Sequence, residues 1–153
     1  MRTLELRIPP PIVALLAAAA MWGVSLATPL VDAPARFRLI AAIAIALAGV
    51  ATAMLGVAAF RRAKTTVNPL KPETSSSLVT SGIYRVTRNP MYVGLALVLI
   101  AWAVFLSSIW ALLGLLVFVL YMNRFQIVPE ERVLSRMFGD TYSGYQRNVR
   151  RWL

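Results

Sequence analysis

Two adjacent carboxylates, Glu130 and Glu131, directly follow a proline in a chain with few acids, six Asp and Glu against 16 Lys and Arg. The pair admits two readings. Pro129 suits the first turn of a helix, and acids in that turn are favoured by the helix dipole, so both glutamates could stabilise a helix start. Alternatively, one carboxylate faces a recess and holds a cationic or polyhydroxy ligand. The other polar side chains able to take part lie in two stretches. One is RRAKTTVNPLKPETSSSLVTSGIYRVTRNP (61–90), and the other is the tail that begins NRFQIVPEERVL at Asn123. The chain has no Cys and no His. This excludes a thiolate zinc site, a disulfide, a haem axial histidine and a Ser-His-Asp triad, and with them most hydrolase mechanisms. No Gly-x-Gly-x-x-Gly occurs, so the Rossmann-type nucleotide site of soluble enzymes is not encoded.

The elements that must position these groups are written in the hydropathy. Of the 153 residues 59% are hydrophobic, above the roughly 45–50% of an ordinary soluble domain, and the length allows a single domain. Residues 12–31 and 38–60 each form an apolar run of the roughly 20 residues that cross a bilayer. A signal peptide would explain the first run only if a cleavage site followed, and none does. From Pro90 to Asn123 the chain carries no charge, and Ser107-Ser108 divides this stretch into a short hairpin, 91–106 and 109–124. Ala44, Ala48, Thr52 and Gly56 recur every four residues and predict a smooth packing face on the second span. The expected fold is an all-α integral membrane protein with four transmembrane helices, a cytosolic loop 61–90 that covers a site, and a cytosolic tail 125–153.

Lys and Arg number 2 in residues 1–11, 6 in 61–90 and 6 in 123–153; only Arg36 and Arg38 lie elsewhere. The net charge of +10 is therefore an orientation signal, not a nucleic-acid footprint, and both termini are expected in the cytoplasm. Gly139 suits a helix stop. Arg147, Arg150, Arg151 and Trp152 suit a headgroup-level belt in contact with membrane lipids. The Ala-, Leu- and Arg-rich composition points to a prokaryotic cytoplasmic membrane. Oligomeric state is not encoded in any feature of the chain.

The order and spacing of LVTSGIYRVTRNPMYVG (78–94), a charge-free hairpin and PEERVLSRMFGDTYSGYQRNVRRWL (129–153) resemble the isoprenylcysteine carboxyl methyltransferase family. Its wider relatives include the phospholipid N-methyltransferases of the membrane. The resemblance runs from Leu78 to Leu153. It implies methyl transfer from S-adenosylmethionine in a membrane-embedded site open to the cytosol, with a lipophilic small-molecule or lipid-linked acceptor. By the same resemblance Ser77, Leu78, Val79, Tyr84, Asn89, Pro90, Met91, Tyr92 and Glu130 contact the cofactor, with Glu131 as the neighbouring acid. Asn89 stands where the family usually has histidine. Four residues before the binding glutamate, the prenylcysteine enzymes place an arginine that orients the substrate carboxylate. This chain has Gln126 there, which can hydrogen-bond but carries no charge. Arg124 is the nearest arginine, and the two residues are the candidates for the acceptor side. No metal is implied. Methyl transfer is a displacement at carbon that mainly requires alignment, so it is compatible with a chain lacking Cys and His.

Two other classes compete. Membrane sterol and enone reductases share a hairpin-plus-tail architecture and use a nicotinamide cofactor, whose phosphates Arg85, Arg88 and Arg132 could hold. A non-enzymatic four-helix transporter or assembly protein is the second. A cation transporter would ordinarily carry an acid inside a span, and none of the four segments does.

Overall fold

The computed structural model describes residues 5–63 and 77–153. The middle of the expected site-covering loop thus lies outside the described residues. Among the described residues five α-helices form: α1 (Pro10–Leu26), α2 (Ala35–Arg62), α3 (Pro90–Leu106), α4 (Leu112–Tyr121) and α5 (Val128–Asn148). Short 3-10 turns at Gly82–Arg85 and Ile109–Ala111 lead into α3 and α4. Among the described residues no strand forms, and the one extended pairing is the isolated bridge Thr87–Arg150.

α1 ends at Leu26, five residues short of the run predicted from hydropathy. Pro29 has no N–H to continue the ladder and biases Thr28 away from the helical region. The segment after it is tied instead to the α3–α4 turn: Val31 N donates to Ser107 O at 2.7 Å, and Ser107 Oγ donates to Val31 O at 2.6 Å. The break predicted at Ser107-Ser108 is present, with Ser107 in the left-handed conformation at φ 54°. α2 runs 28 residues from Pro34 to a basic last turn, Arg61 and Arg62, which complements its dipole.

α2 packs chiefly on α3. An added Cβ at Gly94 would stand 2.5 Å from Gly49 O and 2.9 Å from Ala53 N, so the two backbones touch there. The buried positions of α2 are Ala42, Gly49 and Gly56. The predicted face of Ala44, Ala48, Thr52 and Gly56 is corrected accordingly: Ala44 and Ala48 are exposed. A four-residue step overshoots the helical turn and drifts around the helix, whereas a seven-residue step stays on one face. The main apolar core lies between α1, α3 and α4, around Met21, Leu99, Phe118, Met122 and Ile127. Outside it the pattern is inverted, with Leu15, Leu16, Leu47, Leu55, Leu116 and Leu120 all more than half exposed.

The two helical runs Ala35–Arg62 and Ile109–Asn148 are long and apolar enough to cross a membrane; Pro10–Leu26 and Pro90–Leu106 are apolar but shorter. Within the 109–148 run only the part up to Asn123 is free of charge.

That run holds the largest departure from expectation. No new helix starts at Pro129. α4 passes through a π-helical segment, Met122–Ile127, straight into α5, and Ile127 itself has helical dihedrals. A proline inside a helix cannot donate to the carbonyl four residues back and crowds it. Here that carbonyl belongs to Phe125, and it accepts instead from Leu6 N at 3.0 Å. The wide π turn lies on the N-terminal side of Pro129, and π segments of this kind are frequent at functional sites. Glu130 and Glu131 therefore have no free helix terminus to stabilise. α5 breaks once, at Gly139 (φ 50°, ψ −125°), a conformation open to glycine and strained for other residues.

Candidate functional site

The elements converge at one end of the bundle, where the last turn of α2, the 77–92 segment and α5 enclose a narrow recess. Its empty volume is about 620 Å³, open mouth included. Nine of the residues singled out in the sequence line it: Ser77, Leu78, Val79, Tyr84, Asn89, Met91, Tyr92, Glu130 and Glu131.

Tyr92 sits one turn into α3 and is almost fully buried, and its hydroxyl donates to Glu130 Oε2 at 3.1 Å. Gln126 lies four residues before Glu130, hence on the same helical face, and its side chain hydrogen-bonds to the same hydroxyl. The tyrosine is thereby pinned between two residues of one helix. No basic side chain pairs with Glu130 among the described residues. Burial, opposed by the Tyr92 hydrogen bond and reinforced by the charge of Glu131, raises its carboxyl to about 7.

Glu131, the next residue, is clamped. Arg151 donates to it from Nε at 3.1 Å and from Nη2 at 2.6 Å, and Arg88 Nη2 is 3.1 Å away. This is the centre of a strap formed by residues 150–152. Arg88 N donates to Arg150 O at 2.9 Å, Asn89 Nδ2 to Arg151 O at 2.8 Å, and Trp152 Nε1 to Asn123 Oδ1 at 3.0 Å. The belt expected of Arg150, Arg151 and Trp152 thus makes specific contacts that hold the lining residues Arg88, Asn89 and Glu131.

Aromatic rings make much of the wall. Phe60 meets Tyr84 edge-on at 5.4 Å, and Tyr145 Oη donates to Tyr84 O at 2.6 Å. The break at Gly139 turns the second half of α5 so that Tyr142 and Tyr145 both reach this wall. Burial pushes the Tyr84 and Tyr142 hydroxyls above their ordinary value and Tyr145 to about 12, so all three are neutral hydrogen-bonding groups at physiological pH.

Three of the expected site residues lie outside the lining. Pro90 starts α3 and packs under α2, where an added Cβ at Gly56 would be 3.1 Å from its Cγ. Gln126 is buried behind Tyr92. Arg124 points away: half-exposed, it pairs with Glu5 at 3.2 Å, and Glu5 also holds Arg132 at 3.1 Å. Conversely, Phe60, Ile127, Leu134, Tyr142 and Tyr145 line the recess without having been singled out, and Arg88, weighed in the sequence only for the phosphates of a nicotinamide cofactor, lines it too. The Arg-Asn-Pro and Tyr-x-x-Tyr pieces carried the signal for Arg88 and the two tyrosines.

The recess can hold a ligand with a positive centre and a flat apolar part. Glu130 supplies an anionic group without a basic partner, the rings supply stacking surface, and Arg88 Nε, Arg88 Nη1 and Ser77 Oγ are buried without hydrogen-bond partners among the described residues.

Comparison with known proteins places the chain among membrane methyltransferases. The family model of phospholipid methyltransferases matches residues 37–141. An uncharacterized protein of Haemophilus influenzae is 48% identical over 63 residues, 41% of this chain and the whole of that protein. The methanethiol S-methyltransferase of Pseudomonas deceptionensis is 32% identical over 96 residues, 58% of this chain and 32% of that enzyme. The match therefore spans about a third of that enzyme's length. No solved structure matches the chain.

Proposed function

The chain belongs to the phospholipid methyltransferase family, and from that premise we propose that it transfers a methyl group from S-adenosylmethionine to a small lipophilic acceptor at a membrane. The arrangement is isoprenylcysteine carboxyl methyltransferase-like. α1, α2, α3 and residues 109–124 are the four spans, and both termini and the recess are on the cytoplasmic side, where the basic residues concentrate.

The observation that carries this reading is Glu130, a carboxylate inside an enclosed recess with Tyr92 as its partner and no counter-ion, beside a neighbour that has two arginines. When bound, S-adenosylmethionine supplies an electrophilic methyl group on a sulfonium. Glu130 offsets the desolvation of the donor's positive charge, and Tyr92 and Gln126 hold that carboxylate in place. Tyr84, Tyr142 and Tyr145 give the nucleoside a surface, and Met91 and Val79 exclude water from it. Asn89 has its amide nitrogen on Arg151 O, so its side-chain oxygen is what it offers the recess. The chain's contribution is alignment and water exclusion, which suffice for a displacement at carbon.

The acceptor side carries no dedicated carboxylate-binding arginine at Gln126, and Arg124 is engaged by Glu5. An uncharged acceptor is thereby favoured over a prenylcysteine carboxylate. The thiol named in the Pseudomonas relative is of that uncharged kind. Titration calorimetry in nanodiscs tests the reading. S-adenosylhomocysteine binds, NADPH does not, and Glu130→Gln weakens binding about a hundredfold while leaving helicity unchanged and the thermal midpoint no lower. Binding of NADPH in place of S-adenosylhomocysteine would overturn it.

A further inference from the structure

One basic group of the recess has a pairing that Glu131 does not complete. Arg88 lines the recess with its side chain 11% exposed, and it gives Glu131 only Nη2. Its Nε and Nη1 are buried without partners among the described residues. Charged donors left unpaired in a protein interior are costly, so such groups mark where a ligand completes the set. The backbone that carries Arg88 is held on both sides. The Arg88 backbone is fixed by Arg150 O at 2.9 Å, and Thr87 Oγ1 is bound to Arg151 O at 3.3 Å.

The recess thus carries two incomplete charges of opposite sign. Glu130 needs a cationic partner, and the free N–H groups of Arg88 need an anionic one. Arginine suits a carboxylate particularly well, because its planar donors match the two oxygens. A ligand that satisfies both is a zwitterion with an ammonium or sulfonium and a carboxylate a few bonds apart. The amino-acid end of the methyl donor has this make-up.

We propose that Arg88 binds the α-carboxylate of the donor's amino-acid portion through the N–H groups that Glu131 leaves free, making the site selective for a zwitterionic donor. The proposal rests on the donor reading given above. Glu131 and Arg151 are then positioning residues: they aim Arg88 without touching the ligand.

The experiment compares S-adenosylhomocysteine with its decarboxylated analogue, which keeps the nucleoside, the sulfur and the amine. Both are titrated calorimetrically into the full chain in nanodiscs. The native chain should bind the decarboxylated compound at least about tenfold more weakly, the scale of a lost charge-assisted hydrogen bond. Arg88→Gln should weaken S-adenosylhomocysteine by the same factor, leave the analogue within about twofold, and so erase the preference. Arg88→Lys, which keeps a cation facing Glu131, should narrow the preference and serves where the glutamine variant does not fold. Arg151→Gln, which leaves Glu131 and so Arg88 less firmly aimed, should weaken S-adenosylhomocysteine more than the analogue and narrow their ratio.

Equal binding of the two ligands by the native chain overturns the role of Arg88 and leaves the donor reading standing. So does an Arg88→Gln variant that retains the preference. Absence of S-adenosylhomocysteine binding to the native chain overturns both.

Discussion

The two halves of the α2–α3 contact are built on opposite terms. At Gly49 and Gly94 the backbones touch, and no space remains for a methyl group. One turn away, where Tyr92 and Met91 face α5, polar groups converge around a cavity and several stay without partners. The first region is filled to native density and contributes stability. The second leaves a carboxylate and a guanidinium incompletely paired, which lowers the stability of the protein there. Mutations should therefore separate the two regions cleanly.

The largest expected effect is Gly94→Val. The new side chain would meet the Gly49 carbonyl and the Ala53 backbone, and overpacking against backbone costs about 2–3 kcal/mol. A marked fall in thermal midpoint should appear together with loss of all ligand binding. Glu130→Gln should do the reverse, weakening S-adenosylhomocysteine about a hundredfold with no fall in midpoint, as expected for a buried charge interaction. If both variants lost stability to the same degree, the contrast between the regions would be void.

Arg151→Gln removes one of two arginines from Glu131 and loosens the strap, so a loss of about tenfold in affinity is expected, with the fold retained. pH gives a gentler version of the glutamate test. With the Glu130 carboxyl near 7 in the empty site, the ionised fraction falls as pH drops, and affinity at pH 6 should be about fivefold to eightfold below that at pH 7.5. Stability of the empty protein runs the other way. A carboxyl raised above its unfolded value contributes stability that is present below about 4.5 and is lost as pH rises towards about 7. Calorimetric titrations and melts across this range would show the two trends diverging. Smallest of all is Ala48→Leu, on the exposed face of α2, which should shift stability by no more than about 0.5 kcal/mol.

The helices were legible because apolar runs and prolines mark their ends locally. Pro34 and Pro90 start α2 and α3, and Ser107 ends α3 where the charge-free hairpin predicted a break. What escaped were features set by partners distant in the chain. Arg124 could be assigned to the acceptor because nothing near it in sequence neutralises it, but its partner Glu5 is 119 residues away. The passage of a helix through Pro129 depends on Leu6 satisfying the Phe125 carbonyl, which no local pattern announces. The packing face of α2 was misplaced by phase: small residues repeat at four, but the contact follows seven. Within the site, Glu130 and Glu131 are indistinguishable as letters. Only the fold assigns one to a pair of arginines and the other to the cavity.

The strap has a consequence for the order of events during synthesis. Thr87, Arg88 and Asn89 find their partners in residues 150–152, more than 60 positions later. While the chain is emerging, all the apolar helices are complete and able to insert before the 87–89 segment has anything to bind. The site is therefore the last part to form, and a chain stopped just short of Arg150 would hold all five helices but lack the strap, leaving Glu131 and Arg88 without their partners in residues 150–152.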